Sequence, residues 1–235
     1  MTELLYLQDA YRKTCRTRVE RVSELGIVLE QTVFYPRGGG QPGDTGIIKL
    51  ASGRLLPITD TIYGPAREAL HVPAAGHELP AEGDAVEIEI DWERRYRLMR
   101  MHTSLHFLGV ALPYGVTGGS IGERRSRLDF DMQEPVDKEA VSEKINQLIA
   151  GGHPAETIWT DWEELDKRPD LIRTLSVKPP RTSERIRLLK IGDLDLQPCG
   201  GTHVNNSSEI GRVIIAKIEK KGKHNRRVYL ELADR

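Results

Sequence analysis

Two pairs of residues carry the chemistry latent in this 235-residue chain. In RMHTSLHFL, His102 and His106 stand four apart, and in PCGGTH, Cys199 and His203 stand four apart. Side chains at i and i+4 on a helix share a face. Two imidazoles so spaced can reach one ion, as those of an H-E-x-x-H helix do. A thiolate and a third imidazole complete a donor set that favours zinc over magnesium or calcium. Taken singly, each pair is more easily a coincidence or a pair of core-facing side chains. Both occur in a chain with only seven histidines and two cysteines, and the second pair sits in a glycine-rich run whose backbone can bend around an ion. Together they point to a Zn2+ site built from distant segments, with His102, His106, Cys199 and His203 as ligands. Four bound side chains would make a closed, structural shell. Release of one would let a water or a substrate group bind and be polarised. The residue after His102 is Thr103, not glutamate, so the general base of a zinc peptidase is missing.

A second run rich in chemistry is Arg37–Gly46, RGGGQPGDTG. It lacks the GxGxxG order and the GK[ST] ending of nucleotide loops. Consecutive glycines let backbone approach another surface closely, and Gln41 supplies both donors and an acceptor. If QTVFY is extended, Thr32 points the same way as Phe34. The plainer alternative is a tight hairpin with Gln41 at the surface.

These residues must be positioned by two kinds of structure. The first ninety residues read as β-rich. RVSELGIVLEQTVFYP alternates apolar and polar residues, and short strands are expected at Gly46–Lys49, Leu55–Ile58, Leu70–Val72 and Ala85–Asp91, a small barrel or sandwich. From Asp91, a capping residue, a helix is expected to about Leu112 with Pro113 as its stop. Leu98, Met101, Leu105, Leu108 and Leu112 keep its period, and His102 and His106 lie beside that stripe. Beyond it the pattern predicts a strand at Ser126–Asp131, a helix at Val136–Ala150, a strand at Thr157–Trp162 and a short helix within Trp162–Leu175. A strand at Ile186–Ile191 then leads into a loop, LDLQPCGGTH, and a hairpin of Arg212–Glu219 with Arg226–Glu231 closes the pattern. Strands and helices do not alternate strictly, so the fold class expected is α+β with an antiparallel sheet, divided at 1–90 and 91–235.

Composition narrows the setting. Apolar residues make up 38% and charged residues 29%, as in globular proteins. Apolar runs are too short to span a bilayer, no signal peptide is evident, and two cysteines suit a reducing cytoplasm. The net charge of −1 argues against a broadly basic nucleic-acid coat. Residues 212–235, however, hold eight Lys and Arg against three acids, a surplus of five. Such a face can guide a phosphate backbone or be an ordinary solvated hairpin. His71, His77, His153 and His224 read as structural or surface groups.

TVFYPRGGGQPGDTG, RMHTSLHFL and PCGGTHVNNSSEIG, in that order, resemble the editing domain of alanyl-tRNA synthetase, and more closely its free-standing relatives, the alanyl-tRNA editing proteins. The resemblance runs from about Tyr11 to Leu230. It implies a small N-terminal β-barrel packed on an α+β editing domain, zinc at His102, His106, Cys199 and His203, and roles in discrimination and editing for Thr32 and Gln41. Gly39, Gly40 and Thr103 are the positions expected to meet the substrate, and Lys221, Arg226 and Arg227 those expected to touch tRNA. The implied reaction is hydrolysis, in trans, of serine from mischarged alanine tRNA, with glycine as the second candidate. A zinc-stabilised RNA-binding module without catalysis is the competing expectation.

Overall fold

A computed structural model describes residues 2–172 and 185–233. Residues 173–175, the last of the span Trp162–Leu175 in which a short helix is expected, lie outside the described residues, as do Met1, Asp234 and Arg235. By internal contacts the chain falls into two units, Met1–Arg97 and Leu98–Arg235. The fold is α+β.

In the first unit the strands are β1 (Glu3–Leu4), β2 (Thr14–Ser23), β3 (Gly26–Leu29), β4 (Gln31–Thr32), β5 (Gly46–Leu50), β6 (Leu55–Tyr63), β7 (Ala69–Pro73) and β8 (Ala85–Ile90). Six of them close a barrel in the order β2-β3-β7-β6-β5-β8, and β8 returns to pair with β2. Closure leaves these strands no open edge. The side-chain period of two is plain in β8, where Val86, Ile88 and Ile90 are buried and Glu87 and Glu89 lie on the other face. Ile27, Leu29, Phe34, Ile48, Leu56 and Ile58 join them in the barrel core. Strand β6 runs five residues past the expected Ile58, carried across a bulge near Asp60 by its pairing with β7. QTVFY is not extended throughout. The strand stops at Thr32, whose hydroxyl accepts the Phe34 N–H at 3.0 Å and turns the chain.

Helix α1 (Trp92–Ala111) contains the boundary between the two units. Asp91 caps it, its carboxylate accepting the Arg94 N–H at 3.1 Å. From Met101 to Gly109 every residue is buried, so this stretch is enclosed on all sides rather than along one stripe. The second unit continues with β9 (Val116–Ser120), β10 (Ser126–Asp131), α2 (Lys138–Ala150), β11 (Ala155–Asp161), α3 (Trp162–Asp166), β12 (Arg185–Ile191), β13 (Asp195–Pro198), β14 (Val213–Lys220) and β15 (Asn225–Leu232). They form a four-stranded sheet, β14-β15-β10-β9, and a three-stranded one, β11-β12-β13, both antiparallel. Capped by Asp137, α2 begins at Lys138, two residues after the expected start, and its Asn146 side chain bonds both the N–H and the C=O of Val213, tying α2 to β14.

Two strands stand where the sequence pattern offered none. VTGGS is β9, the edge strand beside β10. The start of the expected LDLQPCGGTH loop is β13, which gains its order from pairing with β12. Among the described residues, no helix is long and apolar enough to cross a membrane.

Candidate metal centre and the glycine-rich loop

The metal-ligand expectation rests on helical spacing, and α1 supplies it: His102 and His106 lie on one face with ring centroids 5.5 Å apart. The run after β13 brings the other pair to them. The His203 ring lies 4.2 Å from that of His102 and 5.0 Å from that of His106. The Cys199 Sγ stands 3.5 Å from His102 Nε2 and 3.1 Å from His203 Nε2. One donor atom from each of the four residues lies within 4.8 Å of every other. Donors around a tetrahedral ion with bonds of about 2.0–2.3 Å stand roughly 3.3–3.8 Å apart, so three nitrogens and one sulfur at this spacing can hold a metal ion after small adjustments. The three histidines are almost fully buried.

Electrostatics agree with a thiolate. Burial alone would raise the Cys199 thiol, but the adjoining His102 and His203 hold its pKa well below the ordinary thiol range. Burial pushes His203 down to about 3 against the pull of the sulfur. Burial also opposes a proton on His106, yet the Asp195 carboxylate and the Cys199 sulfur outweigh it and hold that ring up at about 9.

Neighbouring groups fix the donors. The Thr103 hydroxyl, fully buried one residue after His102, donates to the Met99 carbonyl at 2.8 Å. It accepts the Val204 N–H at 3.2 Å and lies 3.3 Å from His203 Nδ1, which leaves Nε2 of His203 toward the sulfur. Arg187 of β12 grips the CGG backbone. Its carbonyl accepts the Cys199 N–H at 3.2 Å, and its guanidinium reaches the carbonyls of Cys199 and Gly201. Asp195 of β13 accepts from His106 Nδ1 at 2.8 Å, and Gln197, whose amide nitrogen lies 3.1 Å from that ring nitrogen, donates to the same Asp195 oxygen at 2.7 Å. The sequence reading missed these two residues and Arg187. The available signal was a D-x-Q alternation just ahead of Cys199, which places both side chains on one strand face.

Thr32, Gln41, Gly39 and Gly40 belong to the first unit. Gly38 and Gln41 exchange backbone hydrogen bonds at 3.1 and 2.9 Å. Gly39 and Gly40 form the tip between them with φ of +55° and +81°, a type I′ turn that strongly favours glycine. The plainer hairpin alternative therefore holds for the backbone, but Gln41 is buried, not at the surface. The loop is anchored through Asp44, which accepts the Tyr35 N–H at 2.6 Å and pairs with the fully buried Arg95. Thr32 is fully buried, and its hydroxyl lies 2.8 Å from Nε2 of His71. The other ring nitrogen of His71 lies 2.9 Å from the Ile27 carbonyl. A carbonyl only accepts, so Nδ1 carries the proton and Nε2 must accept from Thr32. His71, expected to be merely structural or at the surface, therefore sets the direction of the Thr32 hydroxyl.

The three expected tRNA contacts lie on the β14–β15 hairpin. Arg227 is gripped at both ends by Asp129, at 2.8 Å each. Arg226 bonds the Gln133 carbonyl, and the exposed Lys221 lies 3.1 Å from Glu219.

Residues 186–229 match the family described as "Threonyl and Alanyl tRNA synthetase second additional domain", and residues 4–94 that described as "tRNA synthetases class II (A)". The chain is 36% identical to the alanyl-tRNA editing protein AlaX-M of Methanosarcina barkeri, with all of both chains covered. Its identity to AlaX-M of Methanosarcina mazei is 38%, over all of this chain and 98% of that one. With AlaX-L of Pyrococcus horikoshii it shares 34%, over 95% of this chain and 56% of that one.

Proposed function

The chain belongs to the alanyl-tRNA editing protein family, and on that footing we propose that it hydrolyses the ester joining serine, and secondarily glycine, to the terminal ribose of alanine tRNA. The observation that carries the reading is the convergence of His102, His106, Cys199 and His203 from two distant segments. Three imidazoles and a thiolate favour Zn2+. Bound there, zinc would supply a Lewis-acidic contact for the amino acid's amino or hydroxyl group or for water.

A synthetase pocket built for alanine rejects glycine and serine poorly, because a smaller side chain fits and one added hydroxyl is hard to exclude by shape. A hydrolytic site that requires the hydroxyl solves this. The Thr32 hydroxyl donates its one proton to His71 and accepts one bond from Phe34, which leaves a single accepting lone pair. That lone pair suits the hydroxyl proton of serine, and the methyl of alanine offers it nothing. Gln41 positions the ester or the attacking water. The Gly39–Gly40 turn, with no side chains, admits the substrate backbone, and Thr103 acts through His203. An aminoacyl ester is labile, so holding water against it contributes much of the rate. Lys221, Arg226 and Arg227 meet phosphates by exchanging their present partners.

The test is purified protein given seryl-, glycyl- and alanyl-charged alanine tRNA, with zinc content measured in parallel. Seryl ester should be cleaved, alanyl ester spared, and Cys199→Ala should lose both zinc and cleavage. Normal cleavage by a zinc-free Cys199→Ala protein would refute the site. One second reading has support: four side-chain donors can saturate a tetrahedral ion, as in a zinc-stabilised RNA-binding module. Tight tRNA binding with no cleavage of any ester would decide for it.

A further inference from the structure

We propose that Asp195, seconded by Gln197, is the positioning residue of the metal centre: it holds the Nδ1–H of His106 and thereby aims the other ring nitrogen at the ion. This rests on the metal-binding reading of the four donors. Asp195 is almost fully buried, and its Oδ2 lies 2.8 Å from His106 Nδ1. An ionised carboxylate only accepts, so this contact puts the ring proton on Nδ1 and leaves the Nε2 lone pair for the metal. The Gln197 Nε2 lies 2.7 Å from the same oxygen. Two donors thus converge on Oδ2 and fix the rotation of the carboxylate. Reversing the Gln197 amide would set oxygen against oxygen, so its orientation follows from that of Asp195.

The strand does the aiming. Asp195 and Gln197 are i and i+2 on β13, on one face. The backbone at both positions is registered against β12, Asp195 opposite Ile191 and Gln197 opposite Leu189. The ring therefore takes its orientation from a sheet rather than from a loop. The three imidazoles are not backed alike. Among the described residues, Nδ1 of His203 meets the uncharged Thr103 hydroxyl, at 3.3 Å. A carboxylate behind a ligating imidazole increases its basicity and fixes its tautomer.

The experiment measures zinc affinity by chelator competition and the visible absorption of the Co2+-loaded protein for wild type, Asp195→Ala, Asp195→Asn and Gln197→Leu. Asp195→Ala should bind zinc about 10- to 100-fold more weakly and shift the Co2+ bands. Asp195→Asn, which keeps an accepting oxygen, should recover part of the loss, and Gln197→Leu should show a smaller shift of the same sign. A folded Asp195→Ala protein with wild-type affinity and an unchanged spectrum would overturn the proposal. Should that variant not fold, an Asp195→Asn protein unchanged in both readouts would overturn it equally. Variants that lose affinity as expected, in a protein that cleaves no seryl ester, would leave Asp195 its role and remove the editing reading. A wild-type protein that binds no zinc removes both.

Discussion

Acid should weaken the first unit through one side chain, His71. Its ring is fully buried, beside Phe34, with Nδ1 donating to Ile27 and Nε2 accepting from Thr32. A second proton has no acceptor unless the Thr32 hydroxyl turns away from its present bond, and burial disfavours the charge. The pKa is accordingly pushed down to about 4 from an ordinary 6.5. The unfolded chain takes up this proton near 6.5 and the folded chain only near 4, so between those values the unfolded state binds more protons. Stability from this group is thus complete above about pH 7, is lost as pH falls from 6.5 toward 4, and levels off below. The full difference is worth about 3 kcal/mol, and going from pH 7 to pH 5 removes about 2 kcal/mol of it.

Carboxylates also titrate in acid, so the measurement is a difference. Urea unfolding of wild type and His71→Gln, followed by the methyl signals of the barrel residues Ile27 and Ile48, should be compared at pH 7 and pH 5. Glutamine can still accept from Thr32 but does not titrate. Wild type should lose about 2 kcal/mol more than the variant, a midpoint shift of about 1 M urea. Equal losses in the two proteins would refute the neutral buried ring, and with it the hydroxyl direction assigned to Thr32.

Other outcomes follow from the same contacts. Thr32→Val leaves the Phe34 N–H and His71 Nε2 buried without their partner, so it should cost about 2–4 kcal/mol, against about 1 kcal/mol for Thr32→Ser, read by thermal unfolding. In the folded Val variant the preference for seryl over alanyl ester should narrow; an unchanged ratio removes Thr32 from selectivity. A Cβ on Gly43 would collide with the Thr61 carbonyl and the Asp60 carboxylate, whereas one on Gly39 meets nothing within 4 Å. Gly43→Ala should therefore lower the melting temperature clearly more than Gly39→Ala, whose cost is the positive φ alone, about 1 kcal/mol. Cleavage at low substrate should fall as salt rises, and Arg226→Ala should flatten that dependence by about one phosphate's share; a rate indifferent to salt assigns the hairpin charges to solvent.

Local spacing made much of this protein legible. The members of each ligand pair stand four residues apart, and the Asp91 cap, the helix it opens and the alternation of AVEIEI are all written in adjacent residues. The missed features depend on partners far along the chain. Strand β13 looked like loop because Pro198 and the glycines after it dominate the run, and only pairing with β12 orders Asp195 and Gln197. His71 looked ordinary because its link to Thr32 spans 39 residues.

Charge shows the same limit most sharply. Counted along the chain, residues 212–235 are basic by five. In the sheet, Asp129 of β10 stands directly opposite Arg227 and also takes Arg127, and the two guanidiniums hold its carboxyl below the usual range against its partial burial. Glu219 lies within 3.1 Å of Lys221 and also pairs with Lys217. Cations counted as available to phosphate are thus already turned toward carboxylates, some of them from a strand a hundred residues earlier. A phosphate binding here must displace those carboxylates, or share the arginines with them. Its affinity would reflect the difference between two ion pairs rather than the surplus charge of the segment.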